Sequence, residues 1–268
     1  MNKKVTITIT FASLLLFALT TSTATMDTYD TTNGIGYIAS TDRTKPVDPT
    51  DPTSPVTPEN PVSNGVNSIT AGPLSLDFVS SLDFGVQKIT ASDAIYEASA
   101  QVYTKEDGTK ATGSNYVQIT DNRGTFSGWI LSAKQVNEFT TARGIKLKGA
   151  QVEFSIVTHV TTTAGTGVTI RESFVLIPGG GVIDLMSGTA AMDGEVNGTS
   201  GTHLLSFGDE NSLKFNQVSH NHDGSAVVRS STDSAATLFV PGKSGRVAAG
   251  YTTTVQWMLG DTPSQIVS

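Results

Sequence analysis

The stretch YTTTVQWML, residues 251–259, alternates strictly. Tyr251, Thr253, Val255, Trp257 and Leu259 fall on one side of an extended chain. Thr252, Thr254, Gln256 and Met258 fall on the other. Successive side chains of a strand point to opposite faces, so this pattern predicts a strand with one buried face. Its W-x-L ending recurs in GWIL, residues 128–131, and the two motifs hold both tryptophans of the chain. Trp129 and Leu131, like Trp257 and Leu259, share a face if extended. Each pair is then either a core element or a small stacking platform for a ligand. The solvated look of Thr252, Thr254 and Gln256 favours Trp257 inward.

The same period of two runs through much of the chain. In QVEFSIVT (151–158) it sets Val152, Phe154 and Ile156 on one side. In NYVQIT (115–120) it sets Tyr116, Gln118 and Thr120 against Val117 and Ile119. Turn signals separate such runs: EDGTK at 106–110, DNRG at 121–124, PGGG at 178–181, NHDG at 221–224 and PGKSG at 241–245. Long apolar stripes of helical period are missing. AKQVNEFTTARG (133–144) is the one stretch expected to hold a short helix, ended by Gly144. Together these features predict an all-β domain over residues 62–268: an antiparallel β-sandwich or barrel-like domain with at most one or two short helices.

Upstream the text differs. Lys3 and Lys4 precede an apolar stretch over residues 5–19, and Ser22 and Ala24 stand where a peptidase cut after Ala24 needs small residues. That predicts a secretory signal peptide over 1–24, with an uncleaved anchor as the alternative. A Thr- and Asp-rich segment with Ile35, Tyr37 and Ile38 comes next; its role is not legible. Then come prolines at 46, 49, 52, 55, 58 and 61. Polyproline II has three residues per turn, so residues 25–61 read as a leader and a semi-rigid spacer, its sixteen Pro-x-x positions reaching ~50 Å. The alternative, a ligand for a proline-binding groove, finds few readers outside a bacterial cell.

The chain holds no cysteine, so an exported fold must rest on its core alone, which fits a bacterial protein. The formal charge is −7; losing Lys3 and Lys4 leaves 15 basic against 24 acidic residues, a net −9. Nucleic acid, teichoic acid and acidic membranes are repelled at long range, and no basic run offers a phosphate footprint.

Candidate chemistry is sparse. PGKSG lacks the earlier glycine of a phosphate loop, Thr237 standing in its place, and residues 246–257 read as strand rather than helix. His220 and His222 would share a side in an extended SHNHDG, but two ligands make no zinc site. His159 and His203 read as packed or half-exposed strand residues. Both Gly-Ser-Gly-like stretches miss the serine elbow, and cysteine nucleophiles are excluded. Asp83 in SLDFG and Asp121 in TDNRG would approach each other if their strands paired, as glycosidic carboxylates must. Turn and strand-end hydrogen bonding is the plainer account of both. No catalytic residue, cofactor or metal is expected, and an enzyme is disfavoured.

Three blocks carry a family likeness: SLDFVSSLDFGVQKI (75–89), VQITDNRGTFSGWILSAK (117–134) and TLFVPGKSGRVAAGYTTTVQWMLGDTP (237–263). With the signal and the proline-rich segment, the chain resembles the WxL surface proteins of low-GC Gram-positive bacteria over residues 74–265. The resemblance implies a secreted, extracellular protein held non-covalently at the cell wall, by peptidoglycan. It also implies partnership with other surface proteins, among them a membrane-tethered WxL-interacting protein. Retention through that partner is the alternative to direct wall binding. Trp129, Leu131, Trp257 and Leu259 occupy the signature positions. Residues 108–115 depart from the pattern as a hairpin extension, and Ile130 and Met258 fill spacers often held by Thr.

Overall fold

The computed structural model describes residues 31–59, 70–125, 127–191, 196–220 and 225–261. The expected signal over 1–24 lies outside these residues, as does His222. Residues 31–36 carry no strand, and the described residues from Tyr37 onward form one compact unit. The strands in chain order are β1 (Val47–Asp48), β2 (Asp51–Pro58), β3 (Leu74–Val79), β4 (Ala94–Ser99), β5 (Gln101–Lys105), β6 (Lys110–Gly113), β7 (Asn115–Asp121), β8 (Trp129–Gln135) and β9 (Gln151–Phe154). They continue with β10 (Val157–Thr161), β11 (Val168–Ile170), β12 (Phe174–Leu176), β13 (Ile183–Gly188), β14 (Gly201–Phe207), β15 (Leu213–His220), β16 (Ala226–Val240) and β17 (Val255–Gly260).

Every pairing is antiparallel, and the described residues contain no helix. The sheets run β1-β2-β5-β6, β10-β14-β7-β3, β11-β13-β8-β17 and β12-β9-β16-β15, with β4 also on β16. The last three share one apolar core. Val117, Ile119, Leu205 and Phe207 enter it from the second sheet, Trp129, Leu131 and Leu185 from the third, and Val152, Phe154 and Leu238 from the fourth.

The helix expected over 133–144 does not form. Ala133–Gln135 finish β8, because each has a partner on β17. The remainder is tied as a loop: Thr140 and Thr252 exchange backbone bonds at 2.8 and 3.1 Å, and Gly144 closes a turn onto Thr141 with φ +81°. The 151–158 strand is also two strands. Ile156 takes φ +52°, its side chain is 48 % exposed, and Val157 turns inward in its place. The kink lets the chain leave the fourth sheet at Phe154 and enter the second at Val157.

The proline-rich segment is not a free polyproline spacer. Val56 pairs with Lys105 and Pro58 with Tyr103, so β2 extends the β5–β6 hairpin, whose second strand lies within the departing residues 108–115. The prolines are tolerated because the pairing is short and the donors come from between them: Val56 N–H to Pro46 O at 2.8 Å and Glu59 N–H to Val102 O at 2.7 Å. Burial decides the rest. Val47, Phe78, Tyr116 and Leu204 form a second, smaller core on the outer face of β7. Asp48 is buried against Tyr103 Oη (2.9 Å), Thr50 N–H (2.9 Å) and Lys105 Nζ (3.2 Å). Burial alone would raise its carboxyl; these partners more than offset that and hold it below the usual range. β7 is therefore buried on both faces.

Candidate functional site

β8 lies between β13 and β17, so the two W-x-L strands are hydrogen-bonded neighbours. Leu131 stands opposite Leu259, and Trp257 opposite Ala133. Trp129 falls one residue beyond the Ile130–Gly260 end of the shared ladder, and Trp257 stands opposite Ala133, four residues further along β8, so they make no common stacking platform. Trp129 and Leu131 are 0 % exposed. Trp257 and Leu259 pack against the same core but are only partly buried, Trp257 lying over Phe207 with ring centroids 6.0 Å apart. Of the alternation expected over 251–259, residues 251–257 follow it in burial, whereas Met258 is partly buried like Leu259, and the strand itself begins at Val255.

The Trp129 pocket has polar walls. Its Nε1–H donates to Thr199 O at 2.8 Å, and His203 Nε2 reaches the same oxygen at 3.1 Å. A carbonyl only accepts, so His203 carries its proton on Nε2 and offers Nδ1 as acceptor to His159 Nε2–H at 3.1 Å. The imidazoles stack at 5.3 Å, and Trp129 lies 5.2 Å from His203. Gly188 forms another wall: a Cβ there would stand 2.7 Å from Trp129 Cε2 and Nε1. Sequence reading reached the packed histidines but not their pairing, nor Gly188. No short-range signal marks either, because the partners are remote in sequence.

Burial, then the neighbouring His159, pulls the His203 pKa down to about 4, and burial lowers His159 as well. Between pH 6.5 and 4 the unfolded chain holds a proton that folded His203 does not. Stability is therefore lost as pH falls through that window, by at most about 3 kcal/mol for this residue. Asp77 and Asp233, raised by burial, act in the opposite sense as pH climbs above 3.8. A site-resolved readout separates them. In a histidine Cε1–H NMR titration, the His203 resonance should keep its neutral position to about pH 5; a midpoint near 6.5 would contradict the buried pair.

Asp121 and Asp83 do not meet. Asp121 ends β7 and takes a fork from Arg123, Nε at 2.9 Å and Nη2 at 2.8 Å. The same guanidinium donates to Ser127 O at 2.8 Å and Gly128 O at 3.2 Å, pinning the loop that delivers Trp129. That gives T-D-x-R-G a structural role just upstream of G-W, and the Asp121 pairing raises the Arg123 pKa further. Asp83 accepts from Gly85 N–H at 2.8 Å and sits by Ser99, whose carbonyl binds Asn115 Nδ2 at the other end of β7. The length of β7, about 20 Å, lies between the two carboxylates. The 241–245 stretch is a turn. Ser244 N–H closes on Pro241 O at 3.0 Å, Gly242 N–H donates to Asp93 Oδ1 at 2.6 Å, and Arg246 binds the carbonyls of Thr90, Ser92, Val240 and Pro241.

No helix among the described residues is long and apolar enough to cross a membrane. A family model described as "WxL domain surface cell wall-binding" matches residues 24–263. No curated protein and no solved structure matches the chain. The match takes in the proline-rich strands as well as both W-x-L strands, and with it the chain belongs to the WxL family of surface cell wall-binding domains.

Proposed function

We propose that this chain is an exported, non-enzymatic surface protein held non-covalently at the Gram-positive wall by peptidoglycan. The family match over residues 24–263 carries the reading. The charge supports the choice of polymer: a net −9 after signal removal disfavours teichoic acid and leaves recognition to shape, stacking and hydrogen bonds. On this reading the sheets close as a sandwich- or barrel-like support. Trp129 and Leu131 have no exposed surface to offer a polymer, so they act as scaffold, and Asp83 and Asp121 as polar anchors. Of the four signature residues, Trp257 and Leu259 alone have accessible surface for a contact.

Pelleting the full secreted chain with isolated walls tests this. It should sediment equally with intact walls and with walls stripped of teichoic acid. A chain left in the supernatant at every salt and pH tried sinks the proposal. A second reading, retention through a WxL-interacting surface protein, is favoured by the position of β17 at the edge of its sheet. Sedimentation that needs this added partner would select it.

A further inference from the structure

β17 carries the C-terminal W-x-L motif and, among the described residues, has a strand neighbour on one side only. The bond from Val136 N–H to Thr254 O at 2.8 Å fixes which groups face β8. With the register Val255 to Gln135 through Gly260 to Ile130, the even-numbered residues of β17 point their N–H and C=O groups at β8. Those of Val255, Trp257 and Leu259 point to the open side. Among the described residues, none of these groups has a backbone partner. Edge strands are commonly blunted by charge, proline or a bulge. VQWMLG has no charge and no proline, and its register on β8 is unbroken.

The same chain holds a segment that fits this edge. Residues 34–39, GIGYIA, lie in the stretch without assigned strand or turn that precedes the first strand. Ile35, Tyr37 and Ile38 are 79 %, 87 % and 95 % exposed, although they are large and apolar. As a strand, the segment would place Ile35 and Tyr37 on one face and Ile38 on the other. The first pair would then cover Trp257 and Leu259, which are only partly buried; in an antiparallel register Gly36 would stand opposite Met258, and Ile38 opposite Gln256, diagonal to Met258. Residues 31–41 are also free of charge. Two copies of an acidic protein would thus meet through their uncharged stretches.

We propose that residues 34–39 of one copy add as a strand to the open edge of β17 in a second copy. The contact is head-to-tail and repeats along a row, since each molecule carries both donor and acceptor. Signal cleavage after Ala24 would leave the donor near the free N-terminus, where it meets no topological barrier. The inference is independent of the wall reading, and wall sedimentation is scored separately.

The test is solution mass by light scattering on the full secreted chain, across concentrations up to about 100 μM, a range suited to weak strand addition. The native chain should exceed twice its monomer mass at the top of that range. A double donor variant, Ile35→Asp with Tyr37→Asp, should stay monomeric. Val255→Pro should stay monomeric too: its lost N–H faces the open edge, so the β8 ladder is kept. Each variant's circular dichroism should match the native chain. An equal mixture of the two variants should give dimers and nothing larger, because only one donor and one acceptor remain intact. A native chain that stays monomeric, or a mixture that does, overturns the proposal. Dimers of native chain that survive both variants do so as well.

Discussion

Trp129→Ala should lower stability by about 4 kcal/mol, and Trp257→Ala by about half as much. The first removes a fully buried indole from a pocket that cannot close behind it. β8 is held on both sides, by β13 and by β17, so its backbone cannot move in to fill the space. Thr199 O also loses a 2.8 Å donor inside the core, leaving the bond to His203 alone. For a domain of this size the loss corresponds to roughly 10 °C in Tm. Trp257 lies on an edge strand and already meets solvent, so its truncation forfeits less area and leaves a site that water can enter. Gly188→Ala should behave like a mild Trp129 lesion, because its Cβ would press on the indole at 2.7 Å and on Thr199 Cβ at 3.0 Å. Urea unfolding of the three variants ranks these costs. Equal losses at Trp129 and Trp257 would mean that the two motifs are equivalent core elements, against the difference in their burial. Trp257→Ala, which stays folded on this argument, is also the variant in which wall sedimentation can be read without a folding defect.

What the sequence could reveal depended on the range of the interactions involved. Period-two alternation is local, and it placed β7, β9 and the last strand, with Trp257 facing inward. The two W-x-L strands are neighbours in one sheet, a pairing that joins residues more than a hundred positions apart. The break at Ile156 was hidden, because VEFSI alternates without interruption up to that residue and the positive φ is imposed by a change of sheet. The helix expected at 133–144 failed because β17, more than a hundred residues away, claims Ala133–Gln135. The same reason hid the site's polar frame. Arg123 reaches only to Gly128 and was within sight of a short-range reading, whereas the His159–His203 pair and the Gly188 wall join separate strands. The proline-rich stretch misled in a different way. A strict period of three is what polyproline II requires, but the φ of proline is also compatible with a strand. The deciding facts were the burial of Val47 and Val56 and the hairpin waiting to receive them.

A chain beginning at residue 62 should therefore be much less stable than the full domain, by on the order of 5 kcal/mol. If residues 46–61 were only a spacer, removing them would cost nothing. In the structure the described residues 46–59 cap the outer face of β7. Val47 and Val56 are buried, each contributing about 2 kcal/mol of apolar transfer. Without them Phe78, Tyr116 and Leu204 lose their cover. The polar layer opens with them. Gln118 accepts from Val47 N–H at 2.8 Å and donates to Lys45 O at 3.0 Å and Asp77 at 3.1 Å; Thr120 Oγ1 donates to Asp77 at 2.6 Å. Truncation strips two of those partners from Gln118 and admits water to Asp77, whose pKa burial now raises. Total stabilities of single domains are about 5–15 kcal/mol, so such a loss brings the shortened chain close to unfolding. Comparing urea midpoints of the full chain and the shortened one measures the cost directly. Binding of an apolar dye to the shortened chain alone would show the second core exposed. Identical midpoints would return the segment to the role of a spacer. A loss of the expected size would place the N-terminal boundary of the folding unit ahead of Val47, upstream of every proline in the series but the first.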